Sequence, residues 1–458
     1  MTDWQGKKVT ILGLGRTGYA TAVYLANQKA KVLVSEASEL KGANLTYEQE
    51  LDKLGVRTEA GEHSNDALER ADLIITSPGI RPNAPVIVQA QKLGKEVISD
   101  VELAFREAAS PVVAVTGTNG KSTTTALISF ILEHNGKSAP ACGNIGVPVL
   151  QALSNSPDYL IIEVSSYQLY YCRQFAPQVA IWLNLTPDHL DWHGNLEAYI
   201  EAKQKLFAKQ TKDQFAVLNM DDKIVASTKT KAKIFPFSLQ SNLPNQPEAA
   251  YMCEENLYYR FKGQEHMVCS AAQMQIIGRH NWENALAAIA ATCVLGLDKT
   301  QIADGLTKFK ALEHRLEYVD TIDGVPCYND SKATNTDSAI KALQSFKEKI
   351  VLIAGGRDKG TDLKDFVNCV RNHAAAVILL GEAKERFYKA FQEGGVKNLY
   401  SAHSLEEAVV LGVKLKAGPV VLSPACASFD MFRDFEDRGN VFKDIVRSRC
   451  AKVATSHS

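Results

Sequence analysis

Residues 111–123 read PVVAVTGTNGKST, in which an apolar run with three valines leads into a loop of glycine, lysine and hydroxyl side chains. This pattern predicts a buried strand, a phosphate-binding turn and a helix over residues 124–135. Backbone N–H groups and the helix dipole at such a junction favour a polyphosphate. Gly117 and Gly120 would let the backbone approach the phosphates. Lys121 supplies a positive charge, and the Ser122 hydroxyl can bind Mg²⁺.

One position departs from the usual phosphate-loop pattern, because Val115 stands where that pattern has its first glycine. The alternative interpretation is an ordinary glycine turn before a helix. A Gly-Lys-Ser-Thr run directly after an apolar strand nevertheless favours a phosphate site.

Two further segments repeat this strand-and-turn arrangement, VTILGLGRTG at residues 9–18 and KIVLIAGGRDKG at residues 349–360. Amphipathic helical stretches lie between them, and alternating strands and helices predict parallel sheets with right-handed crossovers. A chain of 458 residues is also too long for one ordinary core. We therefore predict an α/β protein of three domains, residues 1–99, 100–312 and 313–458. The first and third are predicted to be Rossmann-like, and the central one a P-loop-type ATPase domain with a mainly parallel sheet.

The composition narrows the class of protein. A formal net charge of −1 gives no electrostatic case for nucleic acid or an anionic membrane as the main partner. No apolar run is long enough to span a bilayer, and the first residues lack the features of a signal peptide. Nine cysteines without a C-x-x-C pair argue against a zinc site or a disulfide framework. We predict a cytoplasmic globular protein with reduced thiols.

Two other predicted strands end in polar residues that could face the phosphate loop. YLIIE ends at Glu163, and VAIWLN at residues 179–184 is followed shortly by His189. Because ligands gather at the carboxyl ends of parallel strands, Glu163 and Ser122 could supply an oxygen shell for Mg²⁺. The alternative for Glu163 is a structural carboxylate. Imidazole is an uncommon Mg²⁺ ligand, so His189 could equally be a capping or core histidine.

Lys203 falls near the middle of an apolar stripe on the helix predicted over residues 196–209, whereas Lys205 falls on the opposite side. A buried ammonium is costly and tends to lose its proton. A neutral lysine can capture CO₂ as an anionic carbamate, whose oxygens suit Mg²⁺. The alternative is a lysine with a buried stem whose charged end reaches solvent.

The run TGTNGKST resembles the ATP loop of the Mur ligases and of the related folylpolyglutamate synthetases, which are three-domain enzymes that form amide bonds. The resemblance covers essentially the whole chain. It implies a second Mg²⁺ ion bound with the help of His189, and carbamylation of Lys203. The residues that it assigns to ATP are Gly117, Thr118, Asn119, Gly120, Lys121, Ser122 and Thr123 in the loop, Asn281 and Asn284 near the adenine, Arg315 at the phosphates, and Asp330 and Lys332 once the third domain closes.

Residues 422–439, LSPACASFDMFRDFEDRG, resemble the branch of the family that adds D-glutamate. The branch that adds a diamino acid carries an Asp-Asn-Pro-Arg motif, which this sequence lacks. The resemblance therefore implies UDP-N-acetylmuramoyl-L-alanine and D-glutamate as substrates. The residues that it assigns to D-glutamate are Thr334, Lys359, Ser428 and Phe435. A cation and hydroxyls suit the two carboxylates of this amino acid.

The glycine loop at residues 13–18, followed by Glu36, matches the dinucleotide-binding fingerprint, which alone is a weak signal. It leaves an NAD-dependent dehydrogenase as an alternative. The family resemblance instead assigns Arg16, Thr17 and Glu36 to a uridine nucleotide, with Ser77, Gly79 and Asn144 nearby.

The predicted reaction is phosphorylation of a carboxylate by ATP with two Mg²⁺ ions, followed by attack of an amine on the acyl phosphate. Lys121 would neutralise charge on the transferred phosphoryl group, and His189 is the candidate base for the amine. The remaining alternatives are another amino-acid-adding ligase, including a folylpolyglutamate type, and a non-catalytic nucleotide-binding module. We predict a monomer.

Overall fold

The computed structural model describes residues 2–358 and 360–456, with side chains described through residue 450. The chain forms two compact units. The first ends at Met274 and includes Trp282–Phe309, and the second comprises Gln275–Asn281 and the chain from Lys310 onward. Lys359, which is predicted to bind substrate, lies outside the described residues. The predicted domain boundaries at 99/100 and 312/313 stay predictions.

The first sheet has five parallel strands in the order β3-β2-β1-β4-β5. Its strands are β1 Lys8–Leu12, β2 Lys31–Glu36, β3 Arg57–Ala60, β4 Leu73–Thr76 and β5 Val97–Ser99, and its helices are α1 Arg16–Asn27, α2 Ala43–Lys53, α3 Asn65–Glu69 and α4 Pro85–Lys92. The chain order reverses between β1 and β4, so their carboxyl ends flank a crevice. Open α/β sheets bind their ligands at such a crevice.

The second sheet has nine strands in the order β14-β13-β12-β11-β10-β9-β6-β8-β7. Its strands are β6 Val112–Thr116, β7 Ala141–Gly143, β8 Leu160–Glu163, β9 Val179–Trp182, β10 Phe215–Asn219, β11 Lys233–Ser238, β12 Ala249–Cys253, β13 Asn256–Phe261 and β14 Gln264–Ser270. The helices are α5 Asp100–Glu107, α6 Lys121–His134, α7 Val149–Leu153, α8 Ser166–Tyr170, α9 Leu190–His193, α10 Leu196–Ala208, α11 Lys223–Ala226, α12 Arg279–Val294 and α13 Lys299–Lys308, with a short 3₁₀ turn at Ala271–Gln273. Pairing is parallel from β7 to β12 and antiparallel in the β12–β14 hairpins. The fully buried β6 lies between β8 and β9, so the carboxyl ends of these three strands are adjacent.

The third sheet, in the second unit, has six strands in the order β15-β16-β20-β17-β18-β19. Its strands are β15 Glu317–Ile322, β16 Val325–Asn329, β17 Ile350–Gly355, β18 Ala374–Leu380, β19 Leu399–Ser401 and β20 Val420–Leu422. Its helices are α14 Thr336–Leu343, α15 Lys364–His373, α16 Lys384–Glu393, α17 Leu405–Leu415 and α18 Phe435–Ser456. Only the β15–β16 pair is antiparallel among the described strands of this sheet. The loops after β16, β17 and β20 therefore leave the sheet at one edge.

The helix after the phosphate loop begins earlier than predicted, at Lys121 rather than Thr124. Gly120 has a φ of 84°, a left-handed conformation that glycine adopts without steric cost, and α6 starts at the next residue. Lys121 consequently lies in the first helical turn. No helix among residues 2–358 and 360–456 has the length and apolar character needed to cross a membrane.

Asp100, the first residue of α5, is a buried carboxylate that should lower stability at neutral pH. Its oxygens accept hydrogen bonds from Gln168 Nε2 at 3.2 and 3.4 Å, yet burial raises the pKa of Asp100 to about 6. The folded value lies above the unfolded value of 3.8, so the free energy of unfolding falls as pH rises from about 4 to 6.

Asp100→Asn should therefore stabilise the protein by about 1–3 kcal/mol at pH 8 and leave stability almost unchanged at pH 4. The amide keeps an oxygen that can accept from Gln168. Denaturant unfolding at both pH values checks this, with the exposed Asp213→Asn as the control. Equal effects of the two substitutions at pH 8 would show that Asp100 carries no such penalty.

Candidate active site

Residues that follow β9 make hydrogen bonds to the phosphate loop, residues 116–123. The Asn119 N–H donates to Asn184 Oδ1 at 2.9 Å, and Asn184 Nδ2 donates to the Asn119 carbonyl at 3.1 Å. The Thr118 hydroxyl donates to the Thr186 carbonyl at 3.0 Å. Asn184 and Thr186 thus fix the loop, a role that was not predicted from the sequence. Two polar residues that alternate with leucines after an apolar strand are the signal that could have indicated it.

Two lysines approach one carbonyl oxygen at the base of this loop. Lys121 Nζ donates to the Gly117 carbonyl at 3.0 Å and to the Thr118 carbonyl at 2.9 Å. Lys203 Nζ donates to the same Gly117 oxygen at 2.9 Å and to Thr116 Oγ1 at 3.3 Å. Two ammonium groups on one acceptor create a local excess of positive charge. That charge favours a bound anion or loss of a proton from one lysine.

Helix α10 carries Lys203 into the interior. Only 1% of Lys203 is exposed, so its predicted burial is confirmed. Burial, and secondarily the charge of Lys121, hold the pKa of Lys203 well below its usual value. Lys205 is on the other side of the helix, where its ammonium donates to the Tyr170 carbonyl and lies 4.6 Å from the centroid of that ring. Of these two lysines, Lys203 is therefore the one whose surroundings favour the neutral amine.

Glu163 ends β8 next to the phosphate loop. In the register of β6 and β8, Glu163 pairs with Val115, one residue before the end of β6. The carboxylate is 2% exposed, and its Oε1 accepts from Asn144 Nδ2 at 2.7 Å. Ser122 is equally buried in the first turn of α6. A carboxylate and a hydroxyl are hard oxygen donors, which fits Mg²⁺ shared with substrate phosphates.

His189 directly precedes the short helix α9 and has a left-handed φ of 56°. Its Nε2 lies 3.6 Å from Asp188 Oδ2, and its ring centroid lies 4.9 Å from that of Tyr167. A second histidine, His193, packs in the same aromatic cluster and has its Nε2 2.9 Å from Ser166 Oγ. Burial lowers the pKa of His193 to about 4, so this ring is neutral at pH 7. His193 was not predicted from the sequence, although the second histidine within residues 188–193 could have indicated it.

The first sheet brings the ends of β1, β2 and β4 together. Leu14 N–H donates to Glu36 Oε2 at 2.8 Å, which joins the glycine loop to the end of β2. Ser77 N–H donates to the Leu12 carbonyl at 2.9 Å, which places the loop after β4 beside the end of β1. Arg16 and Gly79 are exposed and Thr17 is half-buried. Among the predicted nucleotide residues, Arg16, Thr17, Glu36, Ser77 and Gly79 thus lie in the segments that border the crevice between β1 and β4. Asn144 instead follows β7 of the second sheet, where it contacts Glu163.

In α12, the two asparagines predicted near the adenine have different surroundings. Asn284, in the first unit, accepts from the Thr124 hydroxyl at 3.2 Å. Asn281, in the second unit, is the third residue of the helix, and its Nδ2 donates to the Ile277 carbonyl at 2.7 Å. Asn281 therefore lies inside the first turn of α12 and is not its N-cap residue.

In the second unit, several predicted residues share one edge of the third sheet. Asp330 is buried after β16 and accepts from the Ser423 hydroxyl at 2.7 Å. Burial raises the pKa of Asp330 to about 7, although Ser423 and the charge of Arg315 oppose the shift. Lys332 Nζ lies 4.5 Å from the centroid of the Phe435 ring. Thr334 is two residues further along, and its N–H donates to the Lys332 carbonyl at 2.9 Å.

Arg438 holds together the loops that carry these residues. It is 2% exposed and donates from Nε to Ser331 Oγ at 2.9 Å and from Nη2 to the Ser331 carbonyl at 2.8 Å. It also donates to the Cys426 carbonyl at 3.2 Å, in the loop that contains the buried Ser428. Arg438 was not predicted from the sequence, because an arginine near a helix start usually lies on the surface.

Gly120 should be intolerant of a side chain. A Cβ there would overlap Asn284 Oδ1 and lie 3.2 Å from Leu183 Cδ1. We expect Gly120→Ala to weaken ATP binding at least about tenfold, because a 1.4 kcal/mol distortion of the loop suffices for that loss. Gly136→Ala is a matched control, since Gly136 also has a positive φ, 76°, but open space around it. Isothermal titration with ATP checks the pair, and similar affinities of both variants would contradict the expectation.

Family models match three successive parts of the chain. They are the MurD-like N-terminal domain of Mur ligases at residues 7–99, the Mur ligase middle domain at residues 115–292, and the Mur ligase glutamate ligase domain at residues 314–426. Together they give three domains, in agreement with the predicted fold class.

Curated relatives match almost end to end. The chain is 39% identical over 452 residues to the UDP-N-acetylmuramoylalanine--D-glutamate ligase of Thermoanaerobacter pseudethanolicus, covering 97% of the chain and 99% of the relative. It is 41% identical over 447 residues to the enzyme of the same name from Trichlorobacter lovleyi, with 96% and 98% covered.

Solved structures share the fold at low identity. The UDP-N-acetylmuramate-alanine ligase MurC of Thermotoga maritima matches with a TM-score of 0.62 at 20% identity, covering 96% of this chain and 99% of that one. A pseudomurein peptide ligase type C from Methanothermus fervidus matches with a TM-score of 0.60 at 19% identity, covering 97% and 100%. The near-complete match to curated relatives, together with the three domain matches, establishes that this chain belongs to the Mur ligase family of ATP-dependent, amide-bond-forming enzymes.

Proposed function

We propose that this enzyme uses ATP to join D-glutamate to UDP-N-acetylmuramoyl-L-alanine in peptidoglycan precursor synthesis. The names of the relatives and the run at residues 422–439 support this choice of substrates. The main support for the chemistry is the Gly117 carbonyl, which accepts hydrogen bonds from both Lys121 Nζ and Lys203 Nζ where β6 meets α6. The proposal includes a cytoplasmic location, a monomeric state and the domain boundaries predicted above.

The residues divide into three proposed groups. For ATP they are Gly117, Thr118, Asn119, Gly120, Lys121, Ser122, Thr123, Asn281, Asn284, Arg315, Asp330 and Lys332. For the uridine nucleotide they are Arg16, Thr17, Glu36, Ser77, Gly79 and Asn144. For D-glutamate they are Thr334, Lys359, Ser428 and Phe435.

The first step activates a poor electrophile. An oxygen of the L-alanine carboxylate bonds to the γ-phosphorus of ATP, and the bond from that phosphorus to the bridging oxygen breaks to give ADP and an acyl phosphate. Lys121 leaves the loop carbonyls and pairs with the phosphate charge, which is the electrostatic task of such a site. When bound, Mg²⁺ neutralises phosphate charge, with Ser122 and Glu163 as proposed ligands of one ion and His189 with a Lys203 carbamate at a second.

The second step forms the amide. The D-glutamate nitrogen attacks the acyl carbon, and the tetrahedral intermediate expels inorganic phosphate. The attacking amine must give up a proton, and His189, which lies at the same sheet edge as the phosphate loop, is the proposed acceptor. A neutral imidazole has one lone pair, so His189 takes this proton only when that lone pair is not bound to Mg²⁺.

Lys203 is proposed to be carbamylated. Its neutral nitrogen attacks the carbon of CO₂, forms an N–C bond and releases one proton, which leaves an anionic carboxylate on the nitrogen. The conversion places a negative charge beside the Lys121 ammonium at the Gly117 carbonyl. Burial and the charge of Lys121 lower the pKa of Lys203, which favours the neutral amine that reacts with CO₂.

A product assay tests the function directly. The enzyme is incubated with ATP, Mg²⁺, UDP-N-acetylmuramoyl-L-alanine and a panel of amino acids, and both phosphate release and product mass are measured. We expect an amide product with D-glutamate and little with L-glutamate or diamino acids. ATP binding without any amide would refute the ligase assignment, and preference for another amino acid would refute the substrate assignment.

A further inference from the structure

A pocket of about 850 Å³ lies next to Glu36 and Gly79, because Ala37 and Ile80, which follow them in the sequence, line it. It is formed by the segments after β2, β3 and β4 and by α4. Its lining includes Ala37, His63, Asn65, Leu68, Ile80 and Asn83. Ala37 directly follows Glu36, the residue proposed for the uridine nucleotide. A base attached to a ribose at Glu36 would therefore be near this apolar and largely uncharged pocket.

The hydrogen bonds that Ser35 makes with Glu59 and His63 determine which nitrogen of His63 carries a proton. The buried Ser35 hydroxyl lies 2.7 Å from Glu59 Oε1 and 2.7 Å from His63 Nδ1. Ser64 donates to the same carboxylate from its N–H at 3.0 Å and from its hydroxyl at 2.8 Å. Burial alone would raise the pKa of Glu59, but these hydrogen bonds outweigh it and hold the pKa below its usual value. The carboxylate is ionised and can only accept.

Ser35 has one hydroxyl proton, which it gives to Glu59. His63 Nδ1 must then carry hydrogen and donate to Ser35 Oγ. Burial lowers the pKa of His63 despite the opposing charges of Glu36 and Glu59, so the ring is neutral at pH 7. A neutral ring with hydrogen on Nδ1 has a lone pair on Nε2. Within residues 2–358 and 360–456, Nε2 of His63 has no hydrogen-bond partner.

We propose that His63 Nε2 accepts the N3–H of the uracil ring and thereby selects uridine over cytidine nucleotides. Uracil presents a donor at N3, whereas cytosine presents a lone pair at the same position, which would face the lone pair of the imidazole. A polar site built for a donor rejects an analogue that lacks it, because its own acceptor is left unpaired. The inference rests on the proposed function for its uridine nucleotide and assigns the base specificity of that site.

Two substitutions separate the two nitrogens of the ring. His63→Asn can retain the contact to Ser35, because its Nδ2 occupies the place of Nδ1, but it lacks the acceptor in the pocket. His63→Gln can place an amide oxygen near the position of Nε2. Isothermal titration of the full-length protein with UDP and with CDP measures the selectivity, and the exposed His403→Ala is the control.

We expect the unmodified protein and His403→Ala to bind UDP at least about tenfold more tightly than CDP. This ratio reflects the cost of leaving one acceptor unpaired in the CDP complex. His63→Asn should reduce this ratio to within about threefold through weaker UDP binding, and His63→Gln should keep most of it. N3-methyl-UDP should bind the unmodified protein poorly, yet bind His63→Asn about as well as UDP does.

An unchanged UDP/CDP ratio in His63→Asn would overturn the role of His63 while leaving the proposed function intact. If N3-methylation of UDP weakened binding equally in the unmodified protein and in His63→Asn, the role of His63 would also be overturned. Failure of UDP to bind the unmodified protein at all would refute the uridine substrate and this inference together.

Discussion

Lys203→Ala is expected to lower the rate of amide formation by roughly 10²–10³-fold, the usual cost of removing one preorganised charge from an active site. The reason is the geometry around the Gly117 carbonyl, which Lys203 Nζ approaches to 2.9 Å from a fully buried position. A carbamate on this nitrogen would supply a negative charge beside Lys121 and oxygen ligands for a second Mg²⁺. Alanine removes both.

A small carboxylate should restore part of the lost activity, because the cavity left by the lysine stem can admit formate or acetate at the place of the carbamate. Steady-state assays of Lys203→Ala with increasing formate measure this rescue. Lys205→Ala is the matched control, since Lys205 is on the same helix but contacts Tyr170 instead of the phosphate loop. We expect little change in its rate and no response to formate.

The modification also has a readout that does not depend on turnover. Labelled bicarbonate should give the unmodified protein a carbamate carbonyl signal by NMR, which Lys203→Ala should lack and Lys205→Ala should retain. Full activity of Lys203→Ala, or an identical signal from it, would contradict carbamylation at this residue.

The phosphate loop and the burial of Lys203 were predictable, because they depend on local order along the chain. An apolar strand followed by glycines fixes the turn at residues 117–120, and the helical period places Lys203 in the apolar stripe of α10. The start of α6 was misplaced, since residues 121–123 were assigned to the loop, whereas the left-handed conformation of Gly120 sets the first helical turn at Lys121.

The residues that were not predicted from the sequence depend on long-range contacts. Asn119 and Asn184 are 65 positions apart, and Arg438 and Ser331 are 107 apart. Propensity and periodicity carry no information on which distant polar groups meet, so such partners appear only once strand order brings their loops to one sheet edge. His63 is a similar case, because its tautomer follows from Ser35 and Glu59 on neighbouring strands.

Arg438→Met should lower the free energy of unfolding of the second unit by about 2–3 kcal/mol, because it leaves buried carbonyl oxygens without donors. Burial lowers the pKa of Arg438 to about 10, so its guanidinium stays charged at pH 7 and donates to Ser331 and Cys426. These two acceptors belong to the loops after β16 and β20, which carry the residues proposed to bind ATP and D-glutamate. Arg438 is thus a positioning residue for both.

Arg438→Lys distinguishes positioning from stability alone. Lysine keeps the charge but cannot serve the Ser331 and Cys426 acceptors together in the fork geometry of a guanidinium. At a temperature where this variant is fully folded by circular dichroism, we expect the KM for D-glutamate to rise about tenfold while the KM for UDP-N-acetylmuramoyl-L-alanine stays nearly constant. Arg433→Met is the control, since that side chain is 85% exposed and pairs only with Asp437 among the described residues. Unchanged KM values in folded Arg438→Lys would limit Arg438 to a structural role, because a misplaced substrate loop must weaken the binding of the substrate that it holds.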